Sequence, residues 1–142
     1  MILLYHDILN MNIVSAQALV DQALKEIETL EPTDVVELQK KQNCILIDIR
    51  DIRELWREGT VKNALHIPRG MIEFWVDPQS SYYKEKNLQK AEKVILFCAL
   101  GMRSALATKS LKDMGFKNVA HVNGGFDALK KANFEITEVK KK

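Results

Sequence analysis

Val94-Ile95-Leu96-Phe97-Cys98-Ala99-Leu100-Gly101-Met102-Arg103-Ser104 decides the fold of this chain. Its first four residues form a continuous apolar run rich in branched and aromatic side chains, the signature of a strand buried on both faces. A helix follows: Ala107, Leu111 and Met114 share one face, Lys109 and Lys112 point away, and Gly115 stands where a terminating glycine belongs. Cys98 lies at the turning point between strand and helix.

Working toward the C-terminus, 119–122 reads as another strand, Gly124-Gly125 as a turn, 126–132 as a helix and 134–139 as a last extended segment. Toward the N-terminus, 64–67 is a short strand stopped by Pro68, 70–76 one or two helical turns, and 77–90 a polar loop. The 52–58 helix ends at Gly59, and 44–49 has the character of a second fully buried strand. Before it, Thr33 is the expected cap of a helix over 34–41, preceded by a short strand over 27–30. Ala16, Val20, Ala23, Leu24 and Ile27 recur at helical spacing, so 15–26 is an amphipathic helix capped by Asn12 or Ser15. Strands alternating with helices predict one α/β domain: an open, mostly parallel sheet flanked by helices, with an extra helix at the N-terminus.

The 142 residues, 46% hydrophobic and 28% charged, fit one globular domain. Lys and Arg number 21 against 19 Asp and Glu, spread along the chain, so no basic face for nucleic acid is expected. The longest apolar run, 94–100, falls far short of the ~20 residues that cross a bilayer, so no membrane helix is expected either. Met1 to Tyr5 is apolar but lacks a preceding basic residue and fits a secretory signal badly. The expected location is the cytoplasm. Two cysteines (Cys44, Cys98) and three histidines (His6, His66, His121) are too scattered to spell out a disulfide framework or a metal site.

Ligands of open parallel sheets bind beyond the carboxyl ends of the strands, where Cys98 stands. The amides from Ala99 to Ser104 can curl around one point, with the positive end of the helix dipole behind them. Such a cradle favours a thiolate, the nucleophilic form, and Gly101 permits the tight path. The bland alternative is a small core residue ending a strand. Gly101, Arg103 and the helix start weigh against it for Cys98; Cys44 has no such setting and reads as a packed, inert thiol. Ser104 either donates its hydroxyl to the sulfur or caps the helix.

Leu46-Ile47-Asp48-Ile49-Arg50-Asp51-Ile52-Arg53-Glu54, then 64–68, then Cys98-x-x-Gly101-x-Arg103-Ser104, then Gly115-Phe116-x-Asn118-Val119 and Gly124-Gly125, together resemble a single-domain rhodanese-like sulfurtransferase. The resemblance implies a Cys98 that takes a sulfane sulfur from a small-molecule or protein donor, holds it as a persulfide within the 99–104 loop, and passes it to a thiol or cyanide acceptor, with no cofactor. It divides the chain into an extension over 1–26, a rhodanese-like domain over 27–139 and a basic tail over 140–142. Asp48 and Arg50 match the family's Asp-x-Arg, with Glu54 one helical turn on. The expected roles are supporting ones: Asp48 bonding amides near the loop, Arg50 paired with Glu54. Arg103 either binds an anionic donor or pairs with a carboxylate to fix the loop. The chain carries no signature of oligomeric state.

Thr60-Val61-Lys62-Asn63 replaces the usual glycine and histidine of the turn before Ala64, and Leu129 replaces the usual aromatic after the Gly-Gly turn. Ala99, Leu100 and Met102 are small or apolar where many members offer a basic or polar residue, which disfavours thiosulfate, a small dianion, as the preferred donor. Leu100 and Met102 are expected at a pocket rim, joined by Phe74 and Trp75 with Arg69 nearby. Cysteine phosphatases and arsenate reductases also use a Cys, an amide cradle and an Arg. The phosphatase pattern has five residues between Cys and Arg, however, whereas Cys98 and Arg103 enclose four. A non-catalytic rhodanese-like binding module is the remaining alternative, and such modules usually lose the cysteine that this chain keeps.

Overall fold

A computed structural model describes residues 12–142. The elements, in chain order, are α1 (Ala16–Glu26), β1 (Glu28–Leu30), α2 (Pro32–Lys41), β2 (Cys44–Asp48), α3 (Ile52–Glu58), β3 (Thr60–Val61), β4 (Leu65–His66), α4 (Ile72–Val76), β5 (Lys93–Phe97), α5 (Met102–Asp113), β6 (Val119–Val122), α6 (Gly125–Lys131) and β7 (Ile136–Thr137), with a 3₁₀ turn at Leu88–Lys90. Five strands form a parallel sheet in the order β1-β6-β5-β2-β4. This is the expected class, and β5 lies at its centre. The apolar segment 1–5 falls outside the described residues, among which no helix is long and apolar enough to cross a membrane.

Period-two alternation sends each strand's side chains to opposite faces. On one face Val94, Leu96 and Cys98 of the β5 line pack with Ile47, Ile49, Ala107 and Leu111. On the other, Ile95 and Phe97 pack with Leu46, Val35, Ala120, Val122, Phe126 and Leu129. Parity thus sends Cys98 to the α5 face. The N-terminal helix, capped by the Ser15 hydroxyl, buries Val20 and Ala23 against Ala105 of α5.

Several boundaries differ from the sequence expectation. The second helix begins at Pro32, not Asp34, and its cap is Glu31, not Thr33. Proline's fixed φ suits the first helical turn, and the Asp34 carboxylate accepts the Glu31 N–H at 2.8 Å. Within the expected turn before Ala64, Thr60–Val61 is extended and pairs antiparallel with Ile136–Thr137. The last extended segment therefore lies outside the parallel sheet. The 140–142 tail is exposed, with Lys141 Nζ 5.2 Å from the Trp56 ring centroid.

Two buried features hold the carboxyl end of the sheet. Asp48 and Arg50 are both 0% exposed. The Arg50 guanidinium donates to Asp48 (Nη2 to Oδ2, 2.7 Å), Glu58 (2.9 Å) and the Gly59 carbonyl (2.8 Å), while its Cζ stacks 4.0 Å over the Phe126 ring. Thr60 donates its hydroxyl to Asp48 at 2.7 Å. The expected Arg50–Glu54 pair is not formed, and Asp48 bonds Arg50 and Thr60 rather than amides near the Cys98 loop. Arg50 turns inward beneath α3 and meets Glu58, which leaves Glu54 free for another partner.

The second feature is the Gly-Gly turn. Phe126 N–H donates to the Cys98 carbonyl at 2.7 Å, and Asp127 N–H to the Ala99 carbonyl at 3.3 Å. Gly125 has φ +57°, and a Cβ there would lie 2.4 Å from the Cys98 carbonyl oxygen. Only glycine lets the α6 N-terminus come this close.

Two stability outcomes follow. Gly125→Ala combines left-handed backbone with a clash against backbone atoms and is expected to cost more than about 2 kcal/mol in urea unfolding, against less than about 0.5 kcal/mol for Gly70→Ala, where nothing lies within 4 Å. Arg50→Met strands the Asp48 carboxylate in the core and is expected to cost about 3–5 kcal/mol, part of which Asp48→Leu in the same chain should restore.

Candidate active site

Cys98 follows the central strand and is 1% exposed. Its Sγ accepts the Gly101 N–H at 3.1 Å and the Ser104 N–H at 3.3 Å, and lies 3.4 Å from Ser104 Oγ. The loop can aim these amides at one sulfur because Gly101 has φ +112°, a left-handed conformation that reverses the chain into α5. Ser104 N–H belongs to the first turn of α5, where amides lack intrahelical partners. The cradle expected from Ala99 to Ser104 is therefore present, its contacts to sulfur made by Gly101 and Ser104. Ser104 faces the sulfur and is fully buried.

Arg103 points along the loop's flank to α3, where it forms a two-pronged pair with Glu54: Nη1 to Oε2 at 2.8 Å, Nη2 to Oε1 at 3.0 Å. Glu54 also accepts the Asp51 N–H at 3.0 Å. The Arg103 guanidinium, foremost, holds the Glu54 carboxyl below the usual carboxylate range, and Glu54 in turn raises Arg103. Of the two roles open for Arg103, the structure displays the carboxylate pair.

A cavity of about 290 Å³ opens at the sulfur, lined by Cys98, Ala99, Leu100, Met102 and Arg103. Leu100 (67% exposed) and Met102 (47%) form its rim as expected. Phe74, Trp75 and Arg69 do not line it. Phe74 meets Tyr82 edge-on at 6.4 Å, Trp75 lies under Lys84 Nζ at 4.2 Å, and Arg69 pairs with Glu73 at 3.4 Å. Phe74 and Trp75 instead fasten the 77–90 loop, where the Trp75 carbonyl also accepts the Lys84 and Glu85 amides. Beyond Leu100 a second hollow of about 380 Å³ is lined by Glu58, Ala99, Phe126, Asp127 and Lys130. Cys44 is half-buried at the far end of β2, where burial, first, and Glu92 raise its thiol pKa.

The sequence reading passed over His121. Its Nδ1 lies 2.9 Å from Ser104 Oγ and its Nε2 3.0 Å from Thr29 Oγ1. The signal was parity: in Val119-Ala120-His121-Val122, alternate residues point the same way, so His121 shares the α5 face with Cys98.

Residues 31–132 match the family model of the rhodanese-like domain. The chain is 30% identical over 106 residues to a thiosulfate sulfurtransferase GlpE of Coxiella burnetii, spanning 75% of this chain and 87% of that protein. It is 35% identical over 99 residues to a tRNA uridine(34) hydroxylase of Prochlorococcus marinus, covering 68% of this chain and 31% of the relative, so it spans about a third of that relative's length. A solved structure of a Rhodopseudomonas palustris protein of unknown function, described as a possible tyrosine phosphatase, superposes with TM-score 0.81 at 43% identity, covering 87% of this chain and 95% of that one. With the family model spanning most of the chain and the cysteine loop built as described, this protein belongs to the rhodanese-like domain family.

Proposed function

We propose that this protein is a sulfurtransferase that carries sulfane sulfur on Cys98. The observation that carries the reading is the convergence of the Gly101 and Ser104 amides on Cys98 Sγ at the floor of a cavity. The Cys98 thiolate attacks the outer sulfur of a donor; the new S–S bond forms as the donor's own bond breaks, and the leaving group (sulfite, sulfinate or thiolate) departs with the electron pair. The persulfide's terminal sulfur carries the negative charge, which the loop's amides and the positive end of α5 stabilise. A thiol acceptor, as thiolate, or cyanide then attacks that terminal sulfur and releases the Cys98 thiolate. The similarity to a thiosulfate sulfurtransferase supports this chemistry.

The same site suits a donor with an apolar part, or a protein surface, better than thiosulfate. Leu100 and Met102 supply an apolar rim, and the single cation lining the cavity, Arg103, is engaged by Glu54. Burying a side chain of Leu or Met size is worth roughly 1.5–3 kcal/mol, about one to two decades in affinity. We place the protein in the cytoplasm, where the site thiol stays reduced. A phosphatase reading, suggested by the R. palustris neighbour's description, fits less well: four residues separate Cys98 from Arg103, and the guanidinium is tied to Glu54. Hydroxylase activity belongs to relatives of which this chain matches about a third, and it is not carried over.

Mass spectrometry after exposure to donor should find one added sulfur on the protein and none on Cys98→Ser, whose circular dichroism should match the parent. Cys44→Ser should retain most transfer. Sulfur turnover by Cys98→Ser would remove the persulfide route. In kcat/KM, an aryl thiosulfonate should exceed thiosulfate by roughly 10- to 100-fold, and Leu100→Arg should raise the thiosulfate value. Thiosulfate emerging as the better donor would eliminate the apolar rim as the selector.

A further inference from the structure

Behind the sulfur, three side chains that do not line the cavity continue the hydrogen bonding. Cys98 Sγ lies 3.4 Å from Ser104 Oγ, Ser104 Oγ 2.9 Å from His121 Nδ1, and His121 Nε2 3.0 Å from Thr29 Oγ1. Ser104 and His121 are buried, at 0% and 2% exposed, while Thr29 is exposed on edge strand β1. Strand register maintains the outer link, since Thr29 pairs directly with His121 in the parallel ladder. The chain of polar groups therefore runs from a buried thiol to solvent at the sheet's edge.

The geometry points to a proton relay: Ser104, His121 and Thr29 carry the Cys98 thiol proton out of the core and leave the Ser104 hydroxyl donating to the thiolate. This rests on the reading of Cys98 as a nucleophile. The S–H bond breaks as its proton passes to Ser104 Oγ; the serine's own proton passes to His121 Nδ1; the Nε2 proton passes to Thr29 Oγ1; and the threonine's proton leaves to water. Every relay residue ends with the proton count it began with, and only the sulfur has lost one. The ring starts protonated on Nε2 and ends protonated on Nδ1, neutral in both states.

Three observations fit this route rather than a resting imidazolium. Burial pushes the His121 pKa down to about 4. The groups facing the ring are the hydroxyls of Ser104 from α5 and Thr29 from β1, and no charged side chain contributes to its shift. Arg103, whose pKa is raised by Glu54 of α3 first and also by Cys98 and Asp48, is committed to the Glu54 carboxylate and does not bond the ring. A docked donor fills the cavity in front of the sulfur, so a rear exit stays open when the mouth is dry. Ser104 touches the reacting sulfur; His121 and Thr29 act through it as positioning and relay residues.

The test is ¹⁵N NMR of the imidazole rings in Cys44→Ser protein, with Cys98 ionisation followed by thiolate absorbance and His121 assigned by its loss in His121→Phe. The expected result is a neutral His121 whose proton moves from Nε2 to Nδ1 in step with the thiol, an inversion that disappears in Ser104→Ala. One tautomer throughout, an imidazolium forming as the thiol ionises, or an inversion that persists in Ser104→Ala overturns the relay. Single-turnover sulfur loading from an aryl thiosulfonate at saturation should slow roughly tenfold or more in both Ser104→Ala and His121→Phe, with donor KM unchanged. Unaltered rates in both variants also overturn it. If the ring inverts while the parent takes up no sulfur from any donor, the relay stands and the sulfurtransferase reading falls.

Discussion

A loop that turns its amides toward one sulfur must turn its carbonyls elsewhere, and the partner that receives them organises this end of the molecule. The Cys98 and Ala99 carbonyls bond the Phe126 and Asp127 amides at the start of α6. Each side thus satisfies groups the other would leave unpaired: carbonyls at the start of the loop and free amides of a helix terminus. The approach is so close that position 125 admits no side chain. With α6 seated there, Phe126 stacks on Phe97 of the central strand at 6.4 Å and covers the Arg50 guanidinium at 4.0 Å.

Two ion pairs extend this constraint in opposite directions. Arg50 is a buried cation whose cost of desolvation is offset by four partners: Asp48, Glu58, the Gly59 carbonyl and the Phe126 face. It joins β2, α3 and α6 beneath the loop. Arg103 and Glu54, both partly buried, tie the start of α5 to the start of α3. The two arginines divide the carboxylates of α3 between them, Glu58 pairing with the buried Arg50 and Glu54 with Arg103, and the sulfur's cavity is left with an apolar rim and no unpaired cation among the residues that line it.

The sulfur meets different surroundings on its two sides. In front, Leu100 and Met102 border a small hollow suited to excluding water from a docked donor. Behind, a serine, a histidine and a threonine lead through the sheet's α5 face to an edge strand. On the proposed reading, such a division lets a buried thiol exchange its proton and its sulfur on separate paths.

Much of this was legible in the residues. Continuous apolar runs at 44–49 and 94–97, helical spacing between them and glycines at the ends specify parallel strands with crossover helices, because each local pattern permits little else. Cys98 stood out for the same reason: a strand end, a glycine and a helix start in a row define a cradle without long-range information. What tertiary structure alone decided were the partners of charged and polar side chains. A helical turn places Glu54 near Arg50 in sequence, yet Arg50 turns inward to Asp48 and Glu58 while Arg103, 49 positions away, takes Glu54. Phe74 and Trp75 lean on the 77–90 loop instead of the mouth, and Thr60–Val61 found a strand partner at 136–137. His121 had its orientation written in the parity of β6, but its meeting with Ser104 and Thr29 required the strand order β1-β6-β5 and the seating of α5. Backbone pattern is local and is therefore carried by the sequence, whereas the choice among ion-pair and hydrogen-bond partners depends on which elements lie within about 3 Å of one another, and only the packed chain sets that.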